Sequence, residues 1–293
     1  MDYKDIFKKA CLIQLSTSVW QGARTLEPAL MEKLSQGNEW VKARKLLINP
    51  ELLGPIKTSV HQARNMVQQF ALPFPITSIY LIPKESLGHV DQRLEEFKER
   101  FWSKVNDFED QYDLAREEAK QFLGELFNES DYPEDIATRF NFEWRFLTID
   151  VPGKSNILTP EIYEREKQKF ISMMEETKEL AMSALREEFG EIVHNLMDRL
   201  NGNGNGTMKT FKASMLNKMH EFLDAFGSKN VFNDDQLAEL VTQAKSIISG
   251  LSPYGLQYNK TIREKITGEM NQLKTAIDGA IEDAPRRKIR MAV

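Results

Sequence analysis

Residues 84–127 read KESLGHVDQRLEEFKERFWSKVNDFEDQYDLAREEAKQFLGELF. Val90, Leu94, Phe97, Phe101, Val105, Phe108, Tyr112, Ala115, Ala119, Phe122 and Leu126 recur in steps of three and four, and their flanks are Glu, Lys, Arg and Asp. That spacing places the apolar side chains along one face of an α-helix. From Val90 to Leu126 the helix would run about 54 Å at ~1.5 Å per residue. The two consecutive four-residue steps around Phe101 depart from a strict heptad, so any supercoil relaxes there.

Downstream, Asn128 to Pro133 breaks the pattern. Phe142, Trp144, Phe146 and Thr148 then alternate with Glu143, Arg145, Leu147 and Ile149, which predicts a strand over about 142–151 closed by Val151-Pro152-Gly153. Thr159-Pro160-Glu161 starts a second long helix, with Thr as cap and Pro in the first turn. Its stripe is Phe170, Met174, Thr177, Ala181, Leu185, Phe189, Ile192, Leu196 and Leu200. The two long helices are expected to lie antiparallel, seam to seam, with the strand as their base.

Upstream, Ile13, Leu15, Thr17 and Val19 have the period of a strand, followed by Trp20 and the breaker Gly22. Residues 24–36 are read as a short helix ending at Gly37. Asn49-Pro50 predicts a helix start, softened by Gly54-Pro55, with Ile56, Val60, Ala63, Val67 and Phe70 on its apolar face. Pro73 and Pro75 end that helix, and Ile76–Ile82 reads as a strand at, or beginning at, a sheet edge.

After Leu200, Asn201–Gly206 alternates Asn and Gly, a flexible loop by composition. It has no Lys-Ser/Thr ending and no preceding strand, so a phosphate-cradling loop is not the reading. Three amphipathic helices follow: one carries Met208, Phe211, Met215, Met219, Phe222 and Phe226 and stops at Gly227. The next is capped by Asn233 or Asp234 and stops at Gly250. The last carries Ile262, Ile266, Met270, Leu273, Ile277 and Ile281. The expected fold is mainly α with a small β-sheet (α+β): a long antiparallel coiled-coil-like helix pair plus C-terminal helices. The expected division is a mixed α/β segment at 1–83, the helical hairpin at 84–200, the loop at 201–206, a helical region at 207–284 and a basic tail at 285–293.

Composition bounds the function. The 293 residues are 41% hydrophobic and 28% charged with net charge −5, which argues against a general nucleic-acid coat. The one cysteine, Cys11, excludes an intramolecular disulfide and reads as a small buried hydrophobe. The N-terminal Met-Asp-Tyr-Lys-Asp lacks the apolar region of a signal peptide, and no run approaches the ~20 apolar residues of a membrane span. A cytoplasmic protein without a membrane partner is expected.

No catalytic, cofactor-binding or metal-binding constellation is read. His61, His89, His194 and His220 lack the spacing of a His-x-x-x-His metal site. Glu117-Glu118, Glu175-Glu176 and Glu187-Glu188 fall on charged helix faces, with Arg116, Lys178 and Arg186 nearby, and are read as solvated. The candidate partner-binding residues are Trp20 and Arg24, with a buried Trp closing the sheet as the alternative, and the terminal cluster Arg286, Arg287, Lys288 and Arg290. Self-association into a homo-oligomer is left open.

Five short stretches, in order, resemble a bacterial and phage family called domain of unknown function 3150. They are Ser18-Val19-Trp20-Gln21-Gly22-Ala23-Arg24, Lys45-Leu46-Leu47-Ile48-Asn49-Pro50-Glu51-Leu52, Leu81-Ile82-Pro83, Tyr132-Pro133, and Phe140-Asn141-Phe142 leading to Val151-Pro152. The resemblance spans roughly residues 10–200 and not the last third. Leu72-Pro73-Phe74-Pro75 departs from the family's pattern, which often has glycines there. The resemblance implies a product of phages or mobile elements, encoded near a MoxR-type AAA+ ATPase and a von Willebrand factor A-domain protein. It implies no known activity. The expected function is a non-enzymatic adaptor of such an ATPase. The alternatives are a nucleic-acid-associated accessory protein of phage replication or recombination, and a coiled-coil structural or pore-forming protein.

Overall fold

The computed structural model describes residues 6–35, 38, 40–149, 159–201 and 213–282. In chain order its elements are α1 (Ile6–Lys9), β1 (Ala10–Ser18), β2 (Ala23–Thr25), α2 (Pro28–Ser35), β3 (Arg44–Leu46), α3 (Gly54–Phe70), β4 (Leu72–Pro73) and β5 (Ile79–Pro83). There follow α4 (Leu87–Leu123), β6 (Asn141–Leu147), α5 (Pro160–Leu200), α6 (Ala213–Lys229), α7 (Asp235–Ile248), α8 (Pro253–Tyr258) and α9 (Lys260–Glu282). The main sheet has the strand order β4-β5-β1-β6, and β2 and β3 form a second, two-stranded sheet. The fold is the expected α+β type, dominated by helices.

The described residues form two compact units, each discontinuous in sequence. One, here the α4 unit, joins Ile13–Gln69 and Gly88–Phe146. The other, the α5 unit, joins the chain up to Leu12, Phe70–Leu87 and the residues from Leu147 onward.

In the α4 unit, α4 buries Val90, Leu94, Phe97, Phe101, Val105, Phe108, Tyr112, Ala115 and Ala119, the stripe expected from spacing. Phe140 and Phe142 cover it: Phe101 lies 5.4 Å from Phe142 and 6.4 Å from Phe140, and Phe108 lies 5.9 Å from Phe140, ring centre to ring centre. Burying one such ring contributes about 1.5–3 kcal/mol. Gly124, at φ +51, ends the helix. Phe122, expected on the buried stripe, is 90% exposed. Spacing records the face a side chain occupies and not how far the covering layer extends. α3 starts as expected: the Asn49 side chain accepts from the Glu51 amide at 3.0 Å, a short 3-10 turn spans Pro50–Leu53, and the α-helix follows.

The helix expected at 24–36 is corrected. Ala23–Thr25 pairs antiparallel with Arg44–Leu46, Arg24 opposite Lys45, and the helix begins only at Pro28. Residues 23–25 carry no intrinsic period, so pairing across the intervening loop decides them.

In the α5 unit, Thr159 caps α5 as expected, its hydroxyl accepting from the Ile162 amide at 3.4 Å. The stripe is buried as expected except that Val193 takes the place of Ile192, which is half-buried. Its cover is α6 and α9. Phe189 stacks on Phe222 at 5.1 Å, and Gly190 admits α9 so closely that a Cβ there would stand 3.1 Å from Ile281 Cδ1. Each long helix finds cover within its own unit: α4 meets Phe140 and Phe142, and α5 packs against α6 and α9. An apolar stripe states that a helix must be covered and leaves the partner open.

β5 is an interior strand, and the sheet edge expected of residues 76–82 is taken by β4, with Leu72 opposite Leu81 and Pro73 opposite Tyr80. α6 runs through Gly227 to Lys229. Asp234 is the cap of α7, accepting from the Leu237 amide at 3.1 Å, and Gly250 beyond it adopts φ +72. No helix among the described residues is long and apolar enough to cross a membrane.

Candidate functional site

Trp20 follows β1 and is half-buried, its ring 5.9 Å from Tyr112 and 6.3 Å from Phe108. Gly22 then turns the chain at φ +60. A Cβ at this position would lie 3.1 Å from both Ile48 Cγ1 and Leu53 Cδ1. Its carbonyl accepts from the Leu47 amide at 2.8 Å, which seats β3 against β2. The Leu47 carbonyl in turn accepts from the Tyr132 hydroxyl at 2.8 Å, and the Pro133 carbonyl accepts from the Tyr112 hydroxyl at 3.1 Å. Burial first of all pushes both phenols up to about 12. Neutral donors to backbone carbonyls are what this interior holds.

Asp131 carries the charge at this junction. Its Oδ1 is 2.7 Å from the Arg24 guanidinium, and its Oδ2 is 2.6 Å from Lys45 Nζ. The Lys45 contact is Coulombic rather than a directed hydrogen bond, because Oδ2 accepts none. The Lys45 ammonium donates instead to the Leu126 carbonyl at 2.7 Å. Arg24, half of the expected docking pair, is thus tied to Asp131 while its side chain stays 57% exposed. Trp20 and Arg24 do lie in one unit, Trp20 on the aromatic face of α4 and Arg24 at the rim of the ion-paired cluster. Arg286, Arg287, Lys288 and Arg290 lie outside the described residues.

Sequence reasoning missed the surface next to this junction. Between α2 and β3, the Asn38 side chain accepts from the Trp40 amide at 3.0 Å, and its carbonyl accepts from the Val41 amide at 3.1 Å. That turn holds Trp40 95% exposed, with Val41 and Leu46 also exposed on the same hairpin. The available signal was an isolated Trp following Gly37-Asn38-Glu39, in a turn-forming stretch with no apolar periodicity.

It also missed a polar cluster in the α5 unit. Arg186, read as part of a solvated face, is buried. Its guanidinium donates to both Asp234 carboxylate oxygens, to the Ala280 carbonyl at 2.6 Å and to the Gln236 side chain at 3.1 Å. Two positions on, Glu188 accepts from Lys229 at 3.0 Å. One cation therefore joins α5, the start of α7 and the end of α9. Cys11 is half-buried; desolvation raises its thiol pKa, and Sγ donates to the Leu147 carbonyl at 3.3 Å. Among the described residues no group of His, Cys, Asp and Glu has the arrangement of a metal site.

Fold and site together define a largely helical α+β protein whose internal polar groups tie loops and helix ends in place. The chain belongs to the family described as protein of unknown function (DUF3150), whose model matches residues 7–246. That match runs beyond the motifs at 18–152 through α6 and nearly to the end of α7, so it includes about half of the last third, where sequence reading found no resemblance. No curated protein and no solved structure matches this chain. The motif residues Trp20, Gly22, Arg24, Lys45, Leu47 and Tyr132 all meet at the junction described above.

Proposed function

We propose that this protein is a non-enzymatic, cytoplasmic adaptor that docks another protein through the hairpin carrying Trp40. The observation that carries this reading is the exposure of Trp40 at 95%, with its chain neighbour Val41 and, in β3, Leu46 exposed as well. A large indole held out in water is costly for a free surface and typical of an interface anchor. The junction of Trp20, Gly22, Arg24, Lys45, Asp131 and Tyr132 serves this role indirectly, by stiffening the base of the hairpin. A MoxR-type AAA+ ATPase of a phage or mobile element, acting with a von Willebrand factor A-domain protein, is the partner class that the family resemblance implies.

The test is affinity purification of the tagged full chain from its native host, beside Trp40→Ala and Leu46→Glu. Both substitutions are at exposed positions and should leave the fold intact, as circular dichroism would verify. The adaptor reading expects an ATPase to co-purify stoichiometrically with the parent chain and to be lost with either variant. Recovery of the same ATPase with the variants would exclude the hairpin, and turnover of a substrate by the isolated chain would exclude the adaptor.

A further inference from the structure

The two edges of the main sheet differ in character. β4 is a two-residue strand that includes Pro73, whereas β6 presents seven residues, Asn141–Leu147, without proline or glycine. One side of β6 pairs with β1, and among the described residues no strand pairs with the other. An unpaired edge offers a row of amides and carbonyls to a further strand. Charged side chains along an edge discourage unwanted pairing, and charges of one sign repel a copy of the same strand.

The charges of β6 are of both signs and are placed symmetrically. Residues 142–146 read Phe-Glu-Trp-Arg-Phe, with Trp144 at the centre, Glu143 and Arg145 on either side of it, and a Phe beyond each. Side chains alternate between the two faces of a strand. Phe142 and Trp144 face α4: Phe142 is buried against Phe101, and Trp144 Nε1 donates to Asp91 at 2.8 Å, with Lys98 Nζ 5.4 Å from its ring centre. Glu143 and Arg145 take the other face, 3.8 Å apart, with side chains 56% and 72% exposed. Phe146 shares the face of Phe142 and Trp144, yet it is 39% exposed.

We propose that two copies of this chain associate through β6, pairing antiparallel about a two-fold axis at Trp144. In that register Glu143 stands opposite Arg145 of the second copy, and Arg145 opposite its Glu143. The exposed Phe146 gains Phe142 of the second copy as its cross-strand neighbour, and the two Trp144 residues face each other. Directly opposed Cβ atoms lie about 4.5–5.5 Å apart, within reach of both kinds of pair. Opposed residues in an antiparallel ladder alternate between hydrogen-bonded and non-hydrogen-bonded pairs, so an axis at a residue fits either phase. The same patch serves on both copies, as a closed two-fold dimer requires. In-register parallel pairing would instead set Glu143 against Glu143 and Arg145 against Arg145, so charge selects the antiparallel arrangement. This inference does not rest on the adaptor reading.

The experiment is sedimentation equilibrium of the full chain across the micromolar range, for the parent, Glu143→Arg, Arg145→Glu and the double exchange. Both positions are exposed, so the four should share one circular dichroism spectrum. The parent is expected to dimerise reversibly. Each single change replaces two attractive cross-strand pairs by two repulsive ones, which should weaken the dimer about tenfold or more. The double exchange re-forms both pairs with their signs reversed and should restore it. An equimolar mixture of the two single variants should also dimerise, because every Arg then meets a Glu across the axis. A parent that stays monomeric throughout, or a dimer indifferent to the single changes, would overturn the proposal. So would losses in the single variants that neither the double exchange nor the mixture repairs. A β6 dimer in a chain that recruits no ATPase would leave this inference standing and remove only the adaptor reading.

Discussion

Arg186 and Asp234 form a two-pronged ion pair in the interior of the α5 unit: Nε to Oδ2 at 2.7 Å and Nη2 to Oδ1 at 2.9 Å, with the side chains 9% and 2% exposed. Asp234 caps α7 through the Leu237 amide, and Arg186 also binds the Ala280 carbonyl near the end of α9. The pair therefore sets which end of each helix meets which.

Replacing Arg186 by Met should cost about 3–5 kcal/mol, because the Asp234 carboxylate would remain buried without its countercharge. Arg186→Met with Asp234→Asn keeps a capping side chain and removes the stranded charge, so it should lose less than the sum of the two single changes. Urea unfolding of the four members of this cycle gives the coupling directly. Strict additivity would mean that the pair contributes nothing beyond packing.

Gly22 and Gly124 both adopt positive φ, yet they should respond differently to Ala. At Gly22 the new Cβ meets Ile48 and Leu53 at 3.1 Å, while at Gly124 it meets open space. Gly124→Ala should cost about 1–2 kcal/mol from backbone conformation alone. Gly22→Ala adds overpacking, a further ~1–3 kcal/mol. Thermal unfolding should rank Gly22→Ala clearly below Gly124→Ala.

Phe101 and Phe122 belong to one stripe by spacing and to different environments in the fold. Phe101→Ala should cost about 3–5 kcal/mol. Phe122→Ala should stay within about 0.5 kcal/mol. Denaturant midpoints decide the matter, and similar losses would mean that Phe122 is covered in solution.

Alkaline pH should loosen the α4 unit. Burial raises the Tyr112 and Tyr132 phenols to about 12, and both donate to backbone carbonyls in their neutral form. The unfolded chain releases these protons near pH 10. Between about 10 and 12 the folded state binds more protons than the unfolded one, so stability falls as pH rises and is complete below that window. Tyrosinate absorbance of the folded protein should show two of its seven tyrosines ionising late. Tyr112→Phe combined with Tyr132→Phe should remove that late step.

Helices were legible where one face had to be apolar over many turns. The stripe from Val90 to Ala119 and the cap at Thr159 were read correctly because 3.6-residue periodicity and N-cap chemistry are local. The short strands were harder: Ala23–Thr25 has three residues, no alternation and a partner about twenty positions away. Trp40 was passed over because exposure is a property of what surrounds a side chain. Arg186 was misassigned for the same reason, since a cation amid helix acids looks solvated until Asp234 is brought to it by the fold.

From residue order alone came the helical α+β class, the positions and caps of the long helices, the single thiol and the family motifs, all of them consequences of local propensity and spacing. Tertiary packing chose the partners: Phe140 and Phe142 for α4, α6 and α9 for α5, Asp131 for Arg24 and Lys45, and Asp234 for Arg186. An amphipathic face or a lone charge specifies only that burial or pairing must occur. Which of several compatible surfaces supplies it depends on the whole chain closing at once, with every stripe covered and every buried charge met.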